Sequence, residues 1–121
     1  MTFELLCRFS FAIFAALALT LLVAPGVIHW LFAIDSGAAA DIMSRRAAML
    51  FAGLAVLMFL GGRTTSLEVQ HLVSAVAVVT MVGLAVLGLV EWLRGVVGIG
   101  IWLAIGVEVF FAWFYFRYWQ E

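Results

Sequence analysis

Four long apolar segments dominate this sequence of 121 residues and constrain its fold more than any other feature. Each has about the 20 residues that a helix needs to cross the ~30 Å hydrocarbon core of a bilayer. None alternates strictly in polarity, and each is longer than a membrane β-strand. We therefore predict helices at about residues 5–24, 42–60, 69–90 and 97–118.

The amino-acid composition indicates that the solvent around these helices is lipid. Hydrophobic residues make up 68% of the chain and charged residues 11%, against roughly 45–50% and about 25% in soluble domains. A chain this short leaves much of its surface exposed, so that surface must itself be apolar. We predict an all-α fold, a bundle of four transmembrane helices running up-down-up-down, as one domain over residues 1–121.

Pro25 follows the first apolar segment and predicts a kink, because proline has no backbone N–H and clashes with the preceding turn. A straight helix from Phe3 to Ile34 would measure roughly 48 Å at ~1.5 Å per residue, which exceeds the bilayer core. We therefore predict a Pro-kinked first helix followed by a short interfacial segment over residues 26–34. No small-x-small cleavage pattern precedes Pro25, so we interpret the first segment as a retained helix rather than a signal peptide.

Charged residues give little information about partners or orientation. The net charge is −1 and all six basic residues are arginines, so no basic field exists that would attract nucleic acid. With a cytoplasmic N-terminus, three arginines would lie on each side of the membrane, so the positive-inside rule leaves the orientation open. These are Arg8, Arg63 and Arg117 on one side, and Arg45, Arg46 and Arg94 on the other.

Several residues near the ends of the segments are candidates for interfacial anchors. The aromatic run from Trp113 to Trp119 predicts an aromatic belt in which Arg117 snorkels to the headgroups. Arg45 and Arg46 begin the second helix, for which Asp41 is the predicted N-cap. We predict lipid-headgroup contacts for Arg45, Arg46 and Arg117, and an interfacial ion pair between Glu91 and Arg94.

The residue patterns of known catalytic and cofactor sites are absent from the sequence. The histidines His29 and His71 fall at opposite ends of an up-down-up-down bundle, so one chain cannot place both on a haem iron. Ser74 lies one turn from His71, but this spacing of two common residues is weak support for a nucleophile. No zinc or di-iron spacing occurs, and Cys7 is the single cysteine. We predict no metal, no cofactor and no enzymatic activity.

Glu108 departs most sharply from the apolar pattern, because it falls near the centre of the fourth segment between uncharged residues. An acid at mid-bilayer costs on the order of 2.5–3.5 kcal/mol on insertion scales. We therefore expect Glu108 to face the bundle interior, protonated and hydrogen-bonded. Gly100, Ala104 and Ala112 lie on the same helical row and would let another helix approach closely.

The first helix offers a matching row of small residues at steps of four: Ala12, Ala16, Thr20 and Ala24. By depth, Thr20 and Thr80 both lie near the middle of the membrane. We predict a buried polar or proton site formed by Glu108, Thr20 and Thr80. Its role is either to hold the helices in register or to bind a proton or a substrate.

The order of these features resembles a loose set of small, uncharacterised four-helix bacterial inner-membrane proteins. The shared features are Ala24-Pro25 at the end of the first helix, Gly62-Arg63 at the end of the second, and a last helix running from Trp102 through Glu108 into aromatics. The resemblance implies a bacterial inner-membrane location and no particular activity. In length, helix number and balanced charge the chain is also similar to the small multidrug-resistance transporters. Their binding acid lies in the first helix, where Leu5–Ala24 has none.

Two functions are compatible with the sequence. The first is a non-catalytic accessory or structural subunit that packs against other membrane subunits or against itself through its small-residue rows. The alternative is a small, oligomeric, proton-coupled transporter that uses Glu108. We expect the bilayer and membrane proteins, rather than nucleic acid, to be the partners.

Overall fold

The computed structural model describes residues 2–35 and 37–120, which form five α-helices and no strand. These are α1 (Phe3–Val23), α2 (Pro25–Leu31), α3 (Ala38–Gly61), α4 (Leu67–Leu93) and α5 (Ile101–Gln120). The four helices other than α2 are long and apolar enough to cross a membrane. The predicted all-α bundle of four transmembrane helices is thereby confirmed, and the chain is an integral membrane protein by the length and composition of these helices.

The four long helices alternate in direction. Phe3 at the start of α1 packs edge-on against Tyr118 near the end of α5, with 5.3 Å between the ring centroids. Gly61 at the end of α3 lies so close to Val73 of α4 that a Cβ on the glycine would meet Val73 Cγ2 at 2.6 Å. We call this end of the bundle the Phe3 end and the opposite one, where α2 lies, the α2 end.

The long helices form two closely packed pairs, α1 with α3 and α4 with α5, which contact each other far less. In the first pair, the rings of Phe14 and Phe51 stack with 5.9 Å between centroids. In the second, Gly88 lets α5 approach α4, since a Cβ there would meet Ile105 Cγ1 at 3.1 Å. The loose contact between the pairs leaves space inside the bundle.

Pro25 separates α1 from α2, as the sequence predicts. Ala24 between the two helices has φ −139° and ψ 64°, outside the helical region. α2 ends in a Schellman motif, in which Ala33 takes the left-handed conformation at φ 54° that glycine usually occupies. The Ile34 N–H donates to the His29 carbonyl at 2.8 Å, and the Ala33 N–H donates to the Trp30 carbonyl at 3.2 Å.

Two helices begin elsewhere than the sequence suggests. α3 starts at Ala38, which places Asp41 in its first turn rather than at the N-cap. α5 starts at Ile101 rather than near residue 97, because the preceding residues pack against α2. The Gly98 N–H donates to the Phe32 carbonyl at 2.7 Å, and a Cβ on Gly100 would overlap the Leu31 carbonyl oxygen.

Candidate functional site

A cavity of about 350 Å³ lies between the two helix pairs, toward the α2 end of the bundle. Its wall combines side chains from all five helices, and almost all of them are apolar. The exceptions are two carboxylates, Glu91 of α4 and Glu108 of α5. Clefts with mostly apolar walls and a few polar groups are typical of small-molecule binding sites, whose volumes run from ~300 to ~1,000 Å³.

Glu108 is half-buried in the wall of this cavity. Because α5 begins at Ile101, Glu108 lies roughly 10 Å along the helix from that end. It is therefore closer to the α2 end than the sequence suggests. Its Oε2 atom is buried and receives no hydrogen bond from any residue that the structure describes.

Among the described residues, neither Thr20 nor Thr80 forms a hydrogen bond with Glu108, so a polar or proton site of these three residues stays a prediction. The Thr20 hydroxyl donates instead to the Ala16 carbonyl of its own helix, at 2.8 Å. Neither threonine is among the residues that line the cavity beside Glu108.

The small-residue rows of the two helices also differ from expectation. On α1, the row proposed to meet α5 faces outward, with Ala12, Ala16 and Ala24 exposed. The buried face of this helix instead carries Phe3, Leu6, Cys7, Ser10, Phe14, Ala18 and Leu21. In the row that includes Glu108, Ala112 of α5 is buried, and Gly100, just before α5, packs against Leu31. These two residues of the row therefore pack inside the bundle.

Glu91 lies in the last turn of α4 and lines the cavity at the α2 end. The predicted ion pair with Arg94 is absent from the described residues, where Arg94 is the C-cap and is exposed. Trp92 beside it packs edge-on against Trp102 of α5, with 5.8 Å between ring centroids. The cavity thus has one carboxyl group near the α2 end of the bundle and one roughly 10 Å along α5 from its start.

A buried polar cluster joins the two helix pairs at the Phe3 end. The hydroxyl groups of Ser10 on α1 and Tyr115 on α5 lie 2.7 Å apart, and the Ser10 hydroxyl also donates to the Leu6 carbonyl at 2.9 Å. The Tyr115 hydroxyl also lies 3.3 Å from Met58 Sδ and 3.6 Å from Cys7 Sγ. Tyr115 is fully buried and does not belong to the predicted interfacial belt.

A second polar contact ties α2 to α3. His29 is buried, and its Nε2 lies 2.8 Å from the Ser44 hydroxyl, while its Nδ1 lies 3.9 Å from Asp41 Oδ1. Serine, histidine and aspartate are the residue types of a nucleophilic triad, but Ser44 lies inside α3, where its backbone N–H is part of the helix. The backbone N–H groups around Ser44 are used within α3 and cannot form an oxyanion hole, so we interpret the contact as structural.

The remaining candidates for chemistry do not form a site. Ser74 Oγ and His71 Nε2 are buried, and neither has a hydrogen-bond partner among the described residues. They are therefore not paired with each other as a nucleophile and base would be. Within residues 2–35 and 37–120, no three His, Cys, Asp or Glu side chains are grouped as ligands for a metal ion.

The three predicted headgroup contacts are all exposed: Arg45 and Arg46 in the second turn of α3, and Arg117 near the end of α5. None of them forms an ion pair with a described residue. Their guanidinium groups are accessible from outside the bundle, as headgroup contact requires. Headgroup binding by these residues stays a prediction.

Sequence reasoning overlooked the polar cluster and the contact between His29 and Ser44. One signal for the cluster was present, because Tyr115 lies seven residues after Glu108 and seven residues make about two helical turns. The two side chains therefore share a face of α5. No comparable signal links Ser10 or Ser44 to its partner, since both contacts join helices that are distant in sequence.

The geometry thus gives an apolar cavity with two carboxylates inside a bundle that is tied together by polar contacts at each end. Comparisons of this chain with known protein families, with curated proteins and with solved structures found no match.

Proposed function

We propose that this protein is a small proton-coupled transporter, oligomeric in the membrane, that binds a lipophilic cation in the cavity beside Glu108. The observation that carries the proposal is the position of the Glu108 carboxyl group in the wall of an apolar cavity. One of its oxygen atoms is buried and has no hydrogen-bond partner among residues 2–35 and 37–120. A buried polar group without a hydrogen bond is costly. An occupant of the cavity that interacts with this carboxyl would remove that cost.

The ligand class follows from the wall of the cavity. Apolar side chains favour a hydrophobic ligand, and a carboxylate in an apolar setting favours a positively charged group beside it. The volume of about 350 Å³ suits a small organic molecule rather than a peptide. Glu91 at the same cavity adds a second negative charge nearer the surface, where it would attract the cation.

Coupling to protons follows from the chemistry of one carboxyl group. The Glu108 carboxyl group either binds a proton or, when ionised, attracts a cation. Protonation removes the negative charge that the cation requires. Proton and ligand therefore compete for one site, and each lowers the affinity of the other by the same factor. A protein that exposes such a site alternately to the two sides of a membrane exchanges protons for the ligand.

The substitution Glu108→Gln tests this proposal, because it keeps the shape of the side chain and removes its ionisation. The probe is tetrapropylammonium, a lipophilic cation without an exchangeable proton. Its binding to purified protein is measured by calorimetry, and its proton-driven uptake is measured in reconstituted vesicles. We expect the Glu108→Gln variant to fold normally and to lose both the binding and the proton-driven uptake of tetrapropylammonium.

The matched control is Glu68→Gln, in the exposed first turn of α4 at the Phe3 end. This variant removes the same charge outside the cavity and should bind the probe as the unchanged protein does. Binding of tetrapropylammonium by the Glu108→Gln variant with unchanged affinity would show that Glu108 is only a packing element.

A second candidate function is an accessory subunit, and the outward face of α1 favours it. Ala12 and Ala16 on this face are exposed, and small residues at steps of four allow another helix to approach closely in lipid. Under this proposal, Ala16→Leu should disrupt a complex that purifies in mild detergent, while Leu19→Ala outside the row should not. The particle mass measured by light scattering distinguishes the two. For either function we propose a bacterial inner membrane as the location, on the resemblance described above.

A further inference from the structure

We infer that α2 is a lid over the cavity, and that a ligand reaches Glu108 from the α2 end when this short helix moves aside. The inference deepens the proposed function and takes the identity of the ligand from it. The path by which the ligand reaches Glu108 is inferred from the structure. Three features of α2 carry it: its position, its polar contacts with both helix pairs and its connection to α1.

The position of α2 blocks one end of the cavity. Ile28, Leu31 and Phe32 line the cavity together with Glu91 and Glu108. Toward the Phe3 end, the contact between Ser10 and Tyr115 joins the two helix pairs. Between the pairs, α2 is the segment that bridges the gap at the α2 end.

Polar contacts of α2 and of its C-cap residue, Phe32, lie on both sides of the gap. On the side of α3, His29 and Ser44 are joined by the hydrogen bond of 2.8 Å. On the side of α5, the Phe32 carbonyl accepts the hydrogen bond of 2.7 Å from Gly98. Each helix pair is thus connected to α2 by a specific polar contact, and α2 holds the pairs together at this end.

The connection to α1 permits movement. Pro25 lacks the N–H that would continue the hydrogen bonds of α1, and Ala24 is not helical. The junction is therefore a break in the helix about which α2 turns without disturbing the hydrogen bonds of α1. Loss of these polar contacts would let α2 swing out and open the cavity at the α2 end.

The experiment measures access to Glu108 directly and needs no ligand. A water-soluble carbodiimide with glycinamide converts an accessible carboxylic acid to an amide, and the rate at Glu108 is measured by mass spectrometry. Glu68, exposed at the other end of the bundle, is the internal control in the same molecule. Ser44→Ala removes the hydrogen bond between α2 and α3 and leaves the contact of His29 with Asp41 in place. We expect it to raise the Glu108 rate roughly 2- to 12-fold, the factor that corresponds to one typical hydrogen bond. The Glu68 rate should not change.

A disulfide across the second polar contact provides the opposite test. A Cβ on Gly98 would lie 2.7 Å from Ala33 Cβ, so a disulfide between Ala33→Cys and Gly98→Cys needs a separation of about 1 Å more. The buried Cys7 is replaced by serine to prevent exchange. We expect oxidation to lower the Glu108 rate and reduction to restore it, with Glu68 unaffected.

An equal Glu108 rate in the oxidised and reduced forms would overturn the lid, even if Ser44→Ala failed to fold. The outcome is separate from that of the proposed function. If the disulfide controls labelling but the protein binds no tetrapropylammonium, the lid is supported and the transporter is contradicted. If the oxidised and reduced forms bind the cation equally and are labelled at Glu108 equally, the transporter is supported and the lid is contradicted.

Discussion

The hydroxyl groups of Ser10 and Tyr115 lie 2.7 Å apart inside the bundle and join α1 to α5, two helices at opposite ends of the chain. Both residues are almost completely buried, at 1% and 0% exposure. This polar contact helps to hold the two pairs together at the Phe3 end, because interhelical hydrogen bonds add to van der Waals packing in lipid.

We expect Ser10→Ala and Tyr115→Phe to be coupled in a double-mutant cycle. Hydrogen bonds between transmembrane helices contribute about 0.6 kcal/mol on average and at most about 1.7 kcal/mol, so the coupling should fall in this range. The measurement is the free energy of unfolding in mixed micelles. Ser66→Ala with Tyr115→Phe is the control cycle, since Ser66 lies outside the buried cluster and should show no coupling. Additive effects in the first cycle would mean that the contact contributes nothing.

The sequence predicts the four membrane-crossing helices because their length and apolar character depend on local composition alone. The break at Pro25 is equally local, since it follows from the missing N–H of one residue. The sequence nevertheless predicts the start of α5 too early, near residue 97 rather than at Ile101. The contacts of Gly98 and Gly100 with the end of α2 decide it, and those contacts appear only when the chain is folded.

The surroundings of Glu108 could not be predicted from the sequence for a different physical reason. In a soluble helix, polar and apolar residues alternate with the helical period and show which face is buried. In this chain, side chains that face lipid are as apolar as those inside, so the outward Ala16 and the inward Phe14 look alike in sequence. The rotation of α1 about its axis is therefore not encoded in hydropathy. The cavity beside Glu108 depends on that rotation.

The close approach of α2 to the start of α5 predicts opposite effects for two glycine substitutions. Gly100→Ala should destabilise the protein by roughly 1–3 kcal/mol, because its Cβ would overlap the Leu31 carbonyl oxygen. Gly106→Ala should stabilise it by roughly 0.5–1 kcal/mol, because this helical glycine has nothing within 4 Å of a Cβ and alanine is the better helix former. Both are measured as free energies of unfolding in mixed micelles. Equal effects of the two substitutions would contradict the packing of α2 on α5.

The two carboxylates of the cavity should act differently on a bound cation. Glu91 lies in the last turn of α4, near the membrane surface, so its attraction is exerted partly through water and is screened by salt. We expect Glu91→Gln to slow the association of tetrapropylammonium by less than about tenfold at low ionic strength, as for other charges that steer ligands. The effect should disappear near 1 M salt, where the screening length is ~3 Å.

Glu108→Gln should instead weaken binding at every salt concentration, because this carboxyl lies within the cavity wall, about 10 Å from the start of α5. Association rates and affinities of both variants are measured by fluorescence of Trp92 and Trp102, which pack together at the α2 end. A loss of affinity in Glu91→Gln that persists at high salt would mean that the cation binds Glu91 directly. The ligand would then sit near the mouth of the cavity, and Glu108 would act on it only from a distance.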